Sequence, residues 1–162
     1  MLGRTGTQHG VGLMLMGRYR AVVPGPAKSW TPTIARRQIR ADKATETYEA
    51  KVGQHCWLAV RSVGGTQVLG PVAVSITLVW PRPKHATGAH KGRPVGRYPH
   101  AVAPDVDKVA RSILDGMQLR TVLGKRLQGG GVIEDDARVY DLRVVSWYAA
   151  EGEEAHAVIE WG

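Results

Sequence analysis

The stripe Val106, Val109, Ala110, Ile113, Leu114 and Met117 constrains this chain more than any other stretch. Its members recur at i, i+3, i+4, i+7, i+8 and i+11, the period of one apolar helix face. Pro104 and Asp105 supply a start signal, and Gly116 falls near the end. A helix so apolar on one side must lay that side on a core, so its mouth becomes a defined place in the fold. Asp105 and Asp107 stand at that mouth, where backbone N–H groups lack intrahelical partners and the helix dipole favours negative charge. Lys108, Arg111 and Asp115 lie on the polar side, and a second acidic knot, Glu134, Asp135 and Asp136, precedes a strand-like run.

The plain reading of both knots is local. Asp before a helix is a common N-cap, Asp in the first turn gains from the dipole, and Asp135–Asp136 suits a turn. D-x-D alone does not decide between that and a metal site, so the surroundings must. Residues 1–104 carry 15 Lys/Arg against 3 acids, whereas residues 105–162 carry 7 against 11. A basic surface of this kind is the footprint of a polyanion binder, nucleic acid above all; the competing explanation is charge spread for solubility. Cys56 is the sole cysteine, which excludes an intrachain disulfide and a Cys-based zinc site and suits a reducing cytoplasm. No apolar run approaches the roughly 18 residues needed to span a membrane. A length of 162 residues fits one domain.

Residues 1–17 have no apolar period and are expected to be a disordered leader to a domain at 18–162. Tyr19–Val23 is a strand candidate, stopped by Pro24-Gly25-Pro26. Lys28, Trp30, Arg36, Arg37 and Arg40 follow in a Pro-broken segment; cations interleaved with an aromatic suit phosphate contact and base stacking, and suit a solvated loop equally. Ala41–Val60 is a second helix candidate. Val72, Val74, Ile76, Leu78 and Trp80 alternate with smaller or polar residues, as in a half-buried strand. Residues 82–100 form a long loop with Arg82, Lys84, Lys91, Arg93 and Arg97, able to clamp a DNA backbone; His85, His90 and His100 lack zinc-type spacing and read as polar loop residues. Gln118–Gly131 looks like a flexible basic insertion. Residues 137–148 read as a strand, with Ala155–Trp161 as its partner across a turn. The expected fold is α+β: a single small domain with a mostly antiparallel or mixed sheet of about four strands and two helices packed on one face.

Should the two knots meet in space, Asp105, Asp107 and Asp136, with Asp135 close by, concentrate carboxylates that repel one another unless a cation neutralises them. Magnesium is the natural partner, binding one or two carboxylates together with waters and phosphate oxygens, with manganese as a substitute. Beside a basic surface such a site points to phosphodiester hydrolysis. The metal polarises the scissile phosphate and helps produce the nucleophile, while Arg111 or Lys108 offsets the charge that develops.

The string His100…Pro104-Asp105-Val106-Asp107-Lys108…Arg111…Leu114-Asp115, followed by Asp135-Asp136, resembles the RusA family of Holliday-junction resolvases. That family's pattern is P-D-[LIV]-D-[NK], a basic residue four after the second Asp, an Asp four further on, and then a D-D pair. Lys28 after the Pro-Gly-Pro turn and the segment Pro81–Lys84 are family-like too, so the resemblance spans roughly Tyr19 to Trp161. It implies a small homodimer, magnesium-dependent, that nicks four-way DNA junctions symmetrically, encoded by phage or prophage and working in the cytoplasm of a bacterial or phage-infected cell. It implies that Asp105, Asp107 and Asp136 are metal-binding catalytic carboxylates, and it places the family's basic residue, often Lys, on Arg111. An arginine does not give up its proton, so charge stabilisation is its expected role. The interval from Asp115 to Asp135 is longer than the family usually shows. The expected DNA contacts are Lys28, Arg36, Arg37, Lys84, Lys91, Arg93 and Lys108. Symmetry argues separately for a dimer, because two matched cuts across a junction are related by a two-fold axis.

Other classes compete with this one. A DNA-binding protein without catalysis would use its aspartates only as caps and turns, and a related nuclease would act on other branched DNA. A nuclease of the PD-(D/E)xK type would need an E-x-K after the first Asp, but Glu49-Ala50-Lys51 precedes it.

Overall fold

The computed structural model describes residues 19–30, 32–35, 38–83, 95–100, 102, 104–118, 121–122, 125–126 and 131–162. The expected leader at 1–17 lies outside the described residues, as do His85 and His90. The elements in order are β1 (Tyr19–Pro24), β2 (Pro32–Ala35), β3 (Gln38–Ala41), α1 (Lys43–Ser62), β4 (Val72–Trp80), β5 (Tyr98–Pro99), α2 (Val106–Met117), β6 (Thr121–Val122), β7 (Lys125–Arg126), β8 (Val139–Tyr148) and β9 (His156–Trp161). This is the expected small α+β fold.

Among the described residues, five strands form one mixed sheet in the order β1-β9-β4-β8-β5. Only the β4–β8 pairing is parallel. The fifth strand, absent from the expected four, is the two-residue β5, too short for any period to show in the sequence. The expected hairpin of β8 with β9 does not form. Instead β9 lies between β1 and β4, antiparallel to both, and β4 separates it from β8. Burial explains the choice. Ala157, Ile159 and Trp161 of β9 are wholly buried between two long neighbours, whereas β8 leaves Tyr140, Leu142 and Val145 exposed and is covered on its far side by the two residues of β5 alone.

Strand alternation puts Tyr19, Ala21 and Val23 of β1, Val74, Ile76 and Leu78 of β4 and Ala157, Ile159 and Trp161 of β9 into one core. Val52, Cys56 and Val60 of α1 and Val109, Ile113 and Met117 of α2 fill it from the helical side. Burial pushes the Cys56 thiol up to about 12, so at neutral pH it is a small apolar core group rather than a nucleophile. His100 is not the polar loop residue expected. It is buried and stacked on Trp80, with ring centroids 4.9 Å apart, and beside Tyr148 at 4.7 Å. That burial lowers its pKa.

One junction of the fold brings the second acidic knot to α2. The Met117 carbonyl at the end of α2 accepts hydrogen bonds from the N–H groups of Val132 (2.7 Å) and Ile133 (3.2 Å), both side chains being fully buried. The Val132 carbonyl in turn accepts from Val68 N–H at 2.8 Å. The chain that leaves α2 is thus returned to it, and Glu134–Asp136 emerge beside the helix. Among the described residues no helix is long and apolar enough to cross a membrane.

Candidate active site

Two aspartates precede the two helices, and they behave differently. Asp42 caps α1: its Oδ1 accepts from Thr45 N–H at 2.7 Å, and that bond holds its carboxyl below the usual range. Asp105 occupies the same position before α2, yet its side chain makes no capping hydrogen bond. Its Oδ2 instead lies 3.1 Å from Lys108 Nζ. Asp42 is therefore a cap, and the local reading of Asp105 as a cap fails. Asp42→Ala is expected to lower the melting temperature by a few degrees in thermal melts followed by circular dichroism, with a much smaller change for Asp105→Ala. Equal losses would return Asp105 to the role of a cap.

The second knot divides in the same way. Asp135 is a cap, its Oδ1 accepting from Ala137 N–H at 2.9 Å to start a single 3-10 turn, Asp136–Arg138. That bond, and a second with Asp136, hold the Asp135 carboxyl low. Asp136 is pushed the other way, first by its hydrogen bond with Asp135, then by desolvation and by the charges of Asp135 and Asp115. Two carboxyls that share a hydrogen bond cannot both ionise freely.

Asp107, Arg111 and Asp136 meet in a cavity of about 390 Å³ between α2 and β8. Helical spacing explains the α2 wall. Val106, Ala110 and Leu114 form one row and Asp107 and Arg111 the adjacent row, each at i, i+4. Leu142 and Val144, two apart on β8, close the other side. Arg111 Nε stands 3.9 Å from Asp115 Oδ2, and the guanidinium carbon lies 4.1 Å from the centroid of the Trp30 indole.

Among the described residues no group of three or more His, Cys, Asp or Glu side chains is arranged to hold a metal ion. Magnesium does not require such a group, because a carboxylate or two with waters and phosphate oxygens suffice. Asp107 and Asp136 are donors of that kind. The carboxyls that raise Asp136 are Asp135 and Asp115, so negative charge gathers on this side of the cavity.

Of the expected catalytic group, Asp107, Asp136 and Arg111 come together, while Asp105 pairs with Lys108 at the helix mouth and Asp135 caps the turn beside Asp136. Lys28 and Lys108 are exposed, as a phosphate contact requires, whereas Arg36, Arg37, Lys84, Lys91 and Arg93 lie outside the described residues. Arg82 of the basic loop is used internally. Its guanidinium donates to the Val95, Gly96 and Ala149 carbonyls and lies over Tyr98. Glu49 and Lys51, the misplaced E-x-K, are structural: Glu49 is buried and Lys51 Nζ donates to the Pro24 carbonyl. Sequence reasoning missed the pairing of Trp30 with Arg111 and the β8 wall. The only signal for the first was an aromatic residue among cations.

The sequence model of a family described as Endodeoxyribonuclease RusA matches residues 22–160. A search of curated proteins finds no match.

Proposed function

The chain belongs to the RusA endodeoxyribonuclease family, whose members resolve Holliday junctions, and on that premise we propose that it is a magnesium-dependent homodimeric enzyme cutting four-way DNA junctions by paired symmetric nicks. The observation that carries this reading is the cavity in which Asp107 and Arg111 of α2 meet Asp136 from the far side of the basic insertion.

Asp107 and Asp136 would hold the ion, with Asp105 and Asp135 near them. When bound, magnesium or manganese polarises the scissile phosphate and provides a nucleophilic water at neutral pH. The protein does the rest with its own groups. Arg111 counters negative charge on the phosphoryl oxygens as it builds, and as a permanent cation it gives no proton. Lys28 and Lys108 meet neighbouring phosphates, and the acid-poor first two thirds of the chain supply affinity that is independent of sequence.

The dimer belongs to the same reading, since two matched nicks need two sites related by a two-fold axis. It is supported by the sheet face turned away from the helices. There Val22, Val158, Thr77 and Val145 lie side by side across four strands, with Val22 42% and Val145 45% exposed. Such a row, three valines and a threonine, suits a second copy of the same surface.

Cleavage of a synthetic mobile four-way junction, with linear duplex of the same sequence as control, tests the proposal. Paired nicks placed symmetrically about the branch point are expected, in the junction alone, with magnesium or manganese and not with a chelator. Binding without cutting under either metal would leave a DNA-binding protein with no catalysis. Equal cutting of the linear duplex would remove the junction from the reading.

A further inference from the structure

Resting on the role given to Arg111 above, we propose that Trp30 is a positioning residue of the reaction, pinning the Arg111 guanidinium by its face beside Asp107 and Asp136. An arginine on an exposed helix surface samples many rotamers, and the Arg111 side chain is 60% exposed. Its ionic contact with Asp115, at 3.9 Å in solvent, is too loose to hold it. Trp30 is the firmer partner, with the guanidinium carbon 4.1 Å from its ring centroid.

Trp30 is itself anchored to both helices. Its backbone N–H donates to the Lys108 carbonyl of α2 at 3.2 Å. The carbonyl of its neighbour Ser29 accepts from Thr45 Oγ1 at 3.2 Å, and Thr45 is buried in the first turn of α1. Ala27, three residues earlier, is buried in the core. The backbone that carries the indole is therefore held to both helices, and this favours the ring as the partner that orients the guanidinium.

The chemistry explains why a plate is needed. An ammonium group presents its charge in every direction, so a lysine at this place needs only reach. A guanidinium donates in its own plane, so its face must be fixed before its edge can meet two phosphate oxygens. Stacking engages the face and leaves the edge for the substrate.

The test compares Trp30→Ala, Trp30→Leu, Trp30→Phe, Arg111→Ala and the Trp30→Ala/Arg111→Ala double variant. Single-turnover junction cleavage and junction Kd by gel shift are measured for each. Trp30→Ala and Trp30→Leu are expected to slow cleavage by about tenfold with Kd unchanged. Trp30→Phe, which keeps a π face, is expected to retain most of the rate, and Trp30→Ala adds no further loss once Arg111 is alanine. Leu preserves apolar bulk, so the contrast of Leu with Phe decides the matter even where Ala disturbs folding. The proposal is overturned by wild-type cleavage in Trp30→Leu, by equal slowing in Phe and Leu, by an undiminished loss in the Arg111→Ala background, or by a defect confined to Kd, as base stacking would give. A wild type that cuts no junction overturns the endonuclease reading and this inference with it. A wild type that cuts while Trp30 and Arg111 act independently overturns this inference alone.

Discussion

Asp107→Asn or Asp136→Asn is expected to slow junction cleavage by about a thousandfold while junction affinity stays at or slightly above wild type. Asparagine keeps the size of the side chain and removes the charge. Both side chains line the cavity between α2 and β8 and neither belongs to the core, so the fold should not register the change. On the proposed reading affinity comes from the cations of the acid-poor region, and deleting a negative charge beside a polyanion should not weaken it. Asp105→Asn is expected to slow cutting as well, since its carboxylate makes no capping bond and stands at the mouth of the same helix. Asp135→Asn should be milder, because asparagine still accepts from Ala137 N–H. Single-turnover cleavage of an end-labelled junction, read beside gel shifts of the same proteins, checks all four. Variants that lose binding altogether, or that cut like wild type, would mean the carboxylates serve something other than hydrolysis.

How far the sequence foretold this site depends on the range of the forces involved. Asp107 and Arg111 could be placed together from spacing alone, because i, i+4 on a strongly periodic helix leaves no alternative. The arrival of Asp136 could not, because it depends on Val132 and Ile133 bonding back to Met117 after a long basic excursion. The neighbour of β9 was hidden for a similar reason. Alternation announces a strand but not what lies beside it, and the complete burial of Ala157, Ile159 and Trp161 is a property of the assembled sheet. The difference between Asp42 and Asp105 was nearer the surface of the text. Both helices offer a backbone N–H three residues on, but after Asp105 that residue is Lys108, whose ammonium competes for the carboxylate.

Gly116 shows how a correct local reading can carry the wrong cause. Its place near the end of α2 suggests a stop signal, and helix propensity alone predicts that Gly116→Ala stabilises by up to about 1 kcal/mol. The structure predicts the opposite sign. Gly116 is buried inside α2, and a Cβ built there would lie 2.6 Å from the Glu49 carbonyl oxygen and 2.9 Å from Val52 Cβ of α1. Across the contact, a Cβ on Gly53 would lie 2.8 Å from the Gly116 carbonyl oxygen. The obstacles are largely backbone, so one helix must move as a body, and overpacking of that kind costs about 1–3 kcal/mol. Gly116→Ala and Gly53→Ala are therefore each expected to lower the melting temperature by roughly 2–4 °C per kcal/mol lost. Gln54→Ala, on the exposed face of α1, should leave it nearly unchanged. Because α2 carries Asp107 and Arg111, displacement of the helix should also slow cleavage at temperatures where the protein remains folded. A Gly116→Ala variant that melts higher than wild type would show that the two helices do not approach so closely. The placement of α2 over the sheet, and with it the geometry of the site, would then need another origin.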